Sequence, residues 1–219
     1  DWVRVLARYR EPSTWRSSLE LAITLGPFIL LWALAWWALS ISGWLTLGIS
    51  LVNAGFLLRL FAIQHDCGHA AFFSSRRTSD WVGRVLGLLT FTPYDHWKRQ
   101  HALHHATSGN LDRRNMGGDI ITLTVEEYAA LSRFGKFKYR LYRHPVVMFG
   151  VGPAYVFILA NRLPIGEWKR KMPWISTITT NLGAIILYAL LIWGVGLKTF
   201  LLIQTPIIVV GATSGVWLF

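Results

Sequence analysis

The chain is short of cysteine and of acidic side chains. Cys67 is the only cysteine in 219 residues, which excludes an intramolecular disulfide and says little about compartment. Asp and Glu number 11 against 22 Lys and Arg, a formal charge of +11. The first twenty residues, "DWVRVLARYREPSTWRSSLE", are too polar for the apolar stretch of a signal peptide. There is no internal repeat, low-complexity tract or linker, so 1–219 reads as a single domain. No flavin or nicotinamide motif is present, so any electrons the protein uses come from outside. The chain opens on Asp1 and ends on Phe219 inside an apolar run, as expected of a piece of a longer protein.

Apolar surface, by contrast, is abundant. The chain is 53 % hydrophobic with 12 Trp and a mean hydropathy of +0.39, too apolar for an ordinary soluble core. A spanning helix needs about 20 mostly apolar residues. Four stretches meet or approach that length, at 20–39, 43–63, 175–195 and 198–219. The first two are joined around Ser42–Gly43 and the last two at Gly196–Leu197, so they read as two helical hairpins. The expected fold is therefore all-α and integral to a membrane, with the two hairpins flanking a helical central segment. Two shorter runs, 81–92 and 146–160, are too short to cross and are expected in the interface or partway into the bilayer.

Basic residues orient this arrangement. Residues 64–174 hold 16 of the 22 Lys and Arg, and four more precede the first span. The positive-inside rule then places both termini and the central segment in the cytoplasm. It also accounts for the charge without nucleic acid, since basic residues beside a bilayer meet anionic headgroups of membrane lipids.

Two helices can be placed in that segment. Thr92 before Pro93 reads as an N-cap with proline at the first helical position, opening a helix through "YDHWKRQHALHHAT" that Ser108–Gly109 stops. Thr124 and Glu127 form a capping-box pair. It opens "VEEYAALSRFGKFKYRLYRH", an apolar stripe beside a basic face, expected as one helix on the membrane surface.

Five of the seven histidines fall in two short words, "HDCGH" (65–69) and "HALHH" (101–105). A helix turns 100° per residue, so His65 and His69 lie about 40° apart, while Cys67 lies about 200° from His65. His101, His104 and His105 share a sector of about 100°. Two such faces can converge on a metal centre. Neutral imidazole suits zinc, copper, iron or nickel alike. The zinc-protease pattern needs Glu directly after its first His, where this chain has Asp66. A lone buried histidine is usually a hydrogen-bonded core residue; five in two helix-spaced sets beside one membrane face point to metal binding. His96 and His144 stand outside both sets and read as supporting, interfacial or surface residues.

These words, with "TPYDHWKRQHALHHATSGNLD", "GGDIITLTVEEY" and "YRHPVVMFGVGPAYVFILANR", resemble the membrane fatty-acid desaturases. The likeness is to the bacterial and plastid type acting toward the methyl end of an acyl chain, and it covers about residue 50 to 219. The resemblance implies a non-haem centre of two iron ions held almost wholly by histidines and working with dioxygen. It assigns His65, His69, His101, His104 and His105 as ligands. Asp66 becomes an outer partner that orients an imidazole, and Asn110 and Asp119 become outer-shell candidates. Asn110 is equally a helix-stop residue after Gly109, and Asp119 an ordinary turn residue.

The family carries a third histidine cluster after the fourth span, where "GVWLF" ends this chain, so an incomplete and inactive site is expected here. The resemblance further implies an acyl-lipid or acyl-thioester substrate and a ferredoxin or small cytochrome as electron donor. Phe56, Leu57 and Leu60 are candidates to line an acyl slot, though packing explains them equally. Asn53, mid-span, reads as an interhelical hydrogen-bonding residue. A histidine-box hydroxylase or ketolase remains open as an alternative. A metal carrier or haem protein does too, although haem would place paired histidines on facing spans.

Overall fold

The computed structural model describes residues 11–114 and 120–218, together with Trp2 and Val5. The described residues form helices and loops only. Eight helices are numbered here in chain order: α1 (Thr14–Ala38), α2 (Gly43–Gly68), α3 (Arg76–Leu89), α4 (Tyr94–Thr107), α5 (Val125–Ala130), α6 (Arg133–Tyr142), α7 (Lys171–Val195) and α8 (Leu197–Leu218). A rod, Val147–Arg162, built of α-, π- and 3₁₀-turns, lies between α6 and α7.

Of these, α1, α2, α7 and α8 are long and apolar enough to cross a membrane. They coincide with the four expected spans, and short connections join α1 to α2 and α7 to α8. Their outer faces leave Leu30, Trp37, Ile185 and Trp193 more than half exposed, as lipid-facing positions require. Arg59 on α2 is paired with Glu20 on α1, the partnered state that a charge near a bilayer needs. The α6 helix and the rod bend by 54° and pass the same length and hydropathy test as a pair, giving up to five crossings.

The second span, α2, is the hub. It packs against α1, α8, α3 and α4, and Leu57, Leu60, Ile63 and Cys67 sit in one core with Phe28, Leu86 and Ile203. Leu57 and Leu60 are thus buried between helices. Asn53 Nδ2 donates to the Phe28 carbonyl at 3.1 Å, the interhelical bond its position suggested. Gln204 on α8 accepts from the Trp32 indole on α1 at 2.9 Å, a part-buried contact that ties the second hairpin to the first.

Two local expectations are corrected. Helix α4 begins at Tyr94, with Pro93 as the flanking residue and no side-chain cap. Thr92 donates instead to the Thr90 carbonyl at 3.0 Å, because the preceding Phe91 turns into the left-handed region at φ +54°. The stretch from 125 is also two helices. The capping box at Thr124 and Glu127 forms, but Leu131 is extended and Ser132 re-caps the chain by accepting from the Gly135 N–H.

Candidate metal centre

The site is made where α2 ends and α4 passes it. Helix α2 continues beyond the apolar stretch to Gly68, with His69 at its C-cap. There the chain stops in a double turn: Ala71 N–H donates to the Asp66 carbonyl and Ala70 N–H to the Cys67 carbonyl, both at 3.0 Å. This is the Schellman arrangement, with Ala70 left-handed at φ +54° where glycine is usual. His69 is therefore fixed at the C-cap, one turn beyond His65.

Helix α4 is set by close contacts with α3. A Cβ on Gly83 would lie 2.2 Å from the Tyr94 ring, and one on Gly87 would lie 2.5 Å from the Thr92 carbonyl oxygen. The two glycines, one turn apart, make the flat face on which α4 starts. Across that face Asp80 accepts from the Tyr94 hydroxyl at 2.9 Å and from Lys98 at 2.6 Å. Arg84 clasps Asp95 with two bonds of 2.9 Å. Burial alone would raise the Asp80 pKa, but Lys98, Tyr94 and Arg84 outweigh it and hold the carboxyl below its ordinary value.

The far side of α4 is tied to the segment before α7. Glu167 accepts from Arg99 at 2.6 Å and lies 3.3 Å from His96 Nδ1. The His96 backbone N–H donates to Ser176 Oγ at 3.2 Å. His96 is buried, and that burial, which Glu167 only partly opposes, holds its pKa below the ordinary value. Its place is support of α4 from behind. His144 is exposed and accepts the Val146 N–H at 3.3 Å.

Between α2 and α4 four imidazoles meet. One ligand atom each from His65, His69, His101 and His105 falls within a sphere of mutual separations no greater than 4.8 Å. The Nε2 of His69 lies 3.3 Å from that of His65 and 3.1 Å from that of His101, and the Nε2 atoms of His105 and His101 are 3.0 Å apart. At a metal–nitrogen bond of about 2.1 Å, neighbouring ligands of one ion lie about 3.0–3.4 Å apart in octahedral or tetrahedral order. The spacing fits that donor set, and neutral imidazole nitrogen suits iron.

The protonation states agree. Burial, and then the neighbouring imidazoles His65, His105, His69 and His104, push His101 down to about 4. Burial and the same kind of crowding lower His69. Both rings are thus neutral near pH 7, with a lone pair to offer. Asp66 Oδ1 stands 3.1 Å from His65 Nδ1. That contact favours the proton on Nδ1 and leaves Nε2 bare toward the cluster.

The other expected residues fall differently. His104 lies one turn beyond His101 with its ring 5.9 Å away and only 18° from parallel, outside the four-nitrogen group. Asn110 is exposed and accepts the Asp112 N–H at 2.9 Å, a turn contact at the start of Leu111–Arg113. Asp119 lies outside the described residues. Asp80, Glu167 and the Gly83–Gly87 pair were not among the residues expected at the site. The glycines sat one helical turn apart in "VGRVLGLL" as the one available signal, whereas Glu167 is brought in from a distant segment.

An all-helical membrane protein with imidazoles from two helices focused on one point is the class this geometry defines. The comparisons with known proteins make it particular. The family model "Fatty acid desaturase" matches residues 42–219. The chain is 44 % identical to the fatty acid desaturase of Bacillus subtilis (strain 168) over 98 % of its own length and 60 % of that protein's. It is 28 % identical to an endoplasmic-reticulum omega-3 fatty acid desaturase of Vigna radiata, over 90 % of this chain and 49 % of the relative. A Synechocystis protein, "sn-1 acyl-lipid omega-3 desaturase (ferredoxin)", is 28 % identical over 47 % of the chain and 29 % of that relative. No solved structure matches. The chain belongs to the fatty acid desaturase family, and it spans between about half and three-fifths of the two relatives that cover most of it.

Proposed function

We propose that this chain is the membrane and two-box portion of an acyl-chain desaturase that takes two hydrogens from neighbouring methylenes at the expense of dioxygen and two external electrons. The observation that carries the reading is the convergence of four imidazole nitrogens from α2 and α4 on one point. His65, His69, His101 and His105 would hold iron, with His104 the further candidate from the second box. When bound, a non-haem iron pair supplies the oxidising power that no side chain possesses.

The chain's own residues do the rest. Asp66 keeps the His65 proton on Nδ1. The α3–α4 clasp at Asp80 and Arg84, and Glu167 behind, keep the second set of rings aimed at the first. Removal of hydrogen from an unactivated methylene demands close placement of the acyl chain against that point, a proximity effect. The basic central segment would face the cytoplasm with both termini. An acidic donor such as a ferredoxin or small cytochrome would meet that face, and the name of the Synechocystis relative specifies ferredoxin.

The test is expression of the complete gene encoding this chain in cells of defined lipid composition, with a competent electron donor, followed by mass spectrometry of their fatty acids. A new double bond is expected, and its absence contradicts the proposal.

A further inference from the structure

The indole of Trp97 occupies the space directly beside the cluster. It lies one helical turn before His101 on α4, so the two side chains share a face. Their rings are stacked, 4.7 Å between centroids and 13° from parallel. The same indole meets Phe61 edge-on at 5.6 Å and stands 6.0 Å from the His65 ring. On its outer edge it touches backbone: a Cβ at Gly68 would fall 2.9 Å from the indole Cζ3. No real Cβ tolerates that approach without displacing its neighbour. The indole is therefore wedged between the end of α2 and His101.

We propose that Trp97 is a positioning residue that aims His101 into the cluster, and that position 68 is glycine because the indole needs the room a side chain would take. This rests on the metal reading of the cluster given above. A histidine side chain has two free torsions, and of the four clustered rings His101 is the buried one, the shared neighbour of His69 and His105. Packing its face on a fixed indole restricts both torsions without engaging either nitrogen. His104, nearly parallel one turn on, continues the stack along the helix. Gly68 lies directly between Cys67 and His69, so the word "HDCGH" carries, in one glycine, the packing requirement of the other histidine helix.

The experiment uses purified full-length protein loaded with iron and dialysed against graded chelator, with metal per chain read by mass spectrometry and helicity by circular dichroism. Trp97→Leu is expected to release iron at roughly tenfold lower chelator, the scale of losing an outer partner of a metal ligand, with helicity unchanged. Trp97→Phe keeps a flat ring and is expected within about twofold of wild type. Gly68→Ala is expected to loosen the metal by forcing the indole aside. Adding Trp97→Phe to Gly68→Ala should recover part of the loss, since phenyl lacks the outer ring that the new Cβ strikes. A merely structural contact predicts no such reciprocal rescue. If Trp97→Leu folds and holds iron as firmly as wild type, the positioning role is wrong; if it does not fold, an unrelieved Gly68→Ala defect is equally fatal. Wild-type protein that takes up no iron overturns the metal reading itself, and this role with it.

Discussion

Two regions on the polar side of the spans are built from similar residues and held very differently. Around α3 and α4, charged and aromatic side chains pair over glycines that let helices touch, and Asp80, Lys98 and Asp95 are each less than one-quarter exposed. Across 120–145 cations, tyrosines and acids also meet, but in the open: Glu127, which Arg114 clasps at 2.6 Å, is 43 % exposed. Phe134 and Phe137 stand 64 % and 59 % exposed. Breaking an ion pair in water costs little, whereas removing one partner from a packed joint leaves the other charge buried and uncompensated. The knot at α3–α4 sets the position of the histidines; the α5–α6 arm stands largely open to solvent.

The contrast can be broken most forcefully at Gly87. Gly87→Ala places a methyl 2.5 Å from the Thr92 carbonyl oxygen, backbone that cannot swing away, and is expected to cost about 3 kcal/mol of stability. Thermal unfolding in detergent should show the loss, and bound iron should fall with it.

Next comes Asp80→Asn, which strips two charge-assisted bonds from a largely buried joint and is expected to cost about 2 kcal/mol at neutral pH. Acid sharpens this. The Asp80 carboxyl is held below its ordinary value, so its contribution is whole above that value and is lost as pH falls through the depressed one. The gap in unfolding midpoint between wild type and Asp80→Asn should therefore be full at pH 7 and begin to close as pH falls below about 4. A gap unchanged down to pH 3 would contradict the assignment.

The smallest effect is expected in the arm. Glu127→Gln removes an exposed pair and should leave the unfolding midpoint where it was, within error. A fall as large as that of Asp80→Asn would erase the distinction between the two regions.

The sequence was most legible where chemistry is local. Apolar length located the four spans, because a bilayer imposes a minimum that no tertiary contact relaxes. The Thr124–Glu127 box was readable because cap and partner lie three residues apart. The histidine words were readable because helical geometry alone turns residues four apart toward one side.

What failed depended on neighbours distant in sequence. Thr92 looked like a cap, but Asn161 and Arg162 reach across to the Phe91 carbonyl and hold a left-handed turn that places Pro93 there instead. The break at Leu131–Ser132 was visible in principle, since Ser132 sits three residues before the Gly135 N–H that it accepts, but the apolar stripe running through it masked the signal. His104 illustrates the limit of face-sharing: it lies in the same sector as its two neighbours, yet the four-nitrogen group forms without it.

His65, His69, His101 and His105 are proposed as one metal-binding set. Iron per chain in purified full-length protein, wild type against His69→Ala/His101→Ala, tests it most directly. Iron is expected in the wild type, and only background in the variant at unchanged helicity. Equal iron in both would contradict it.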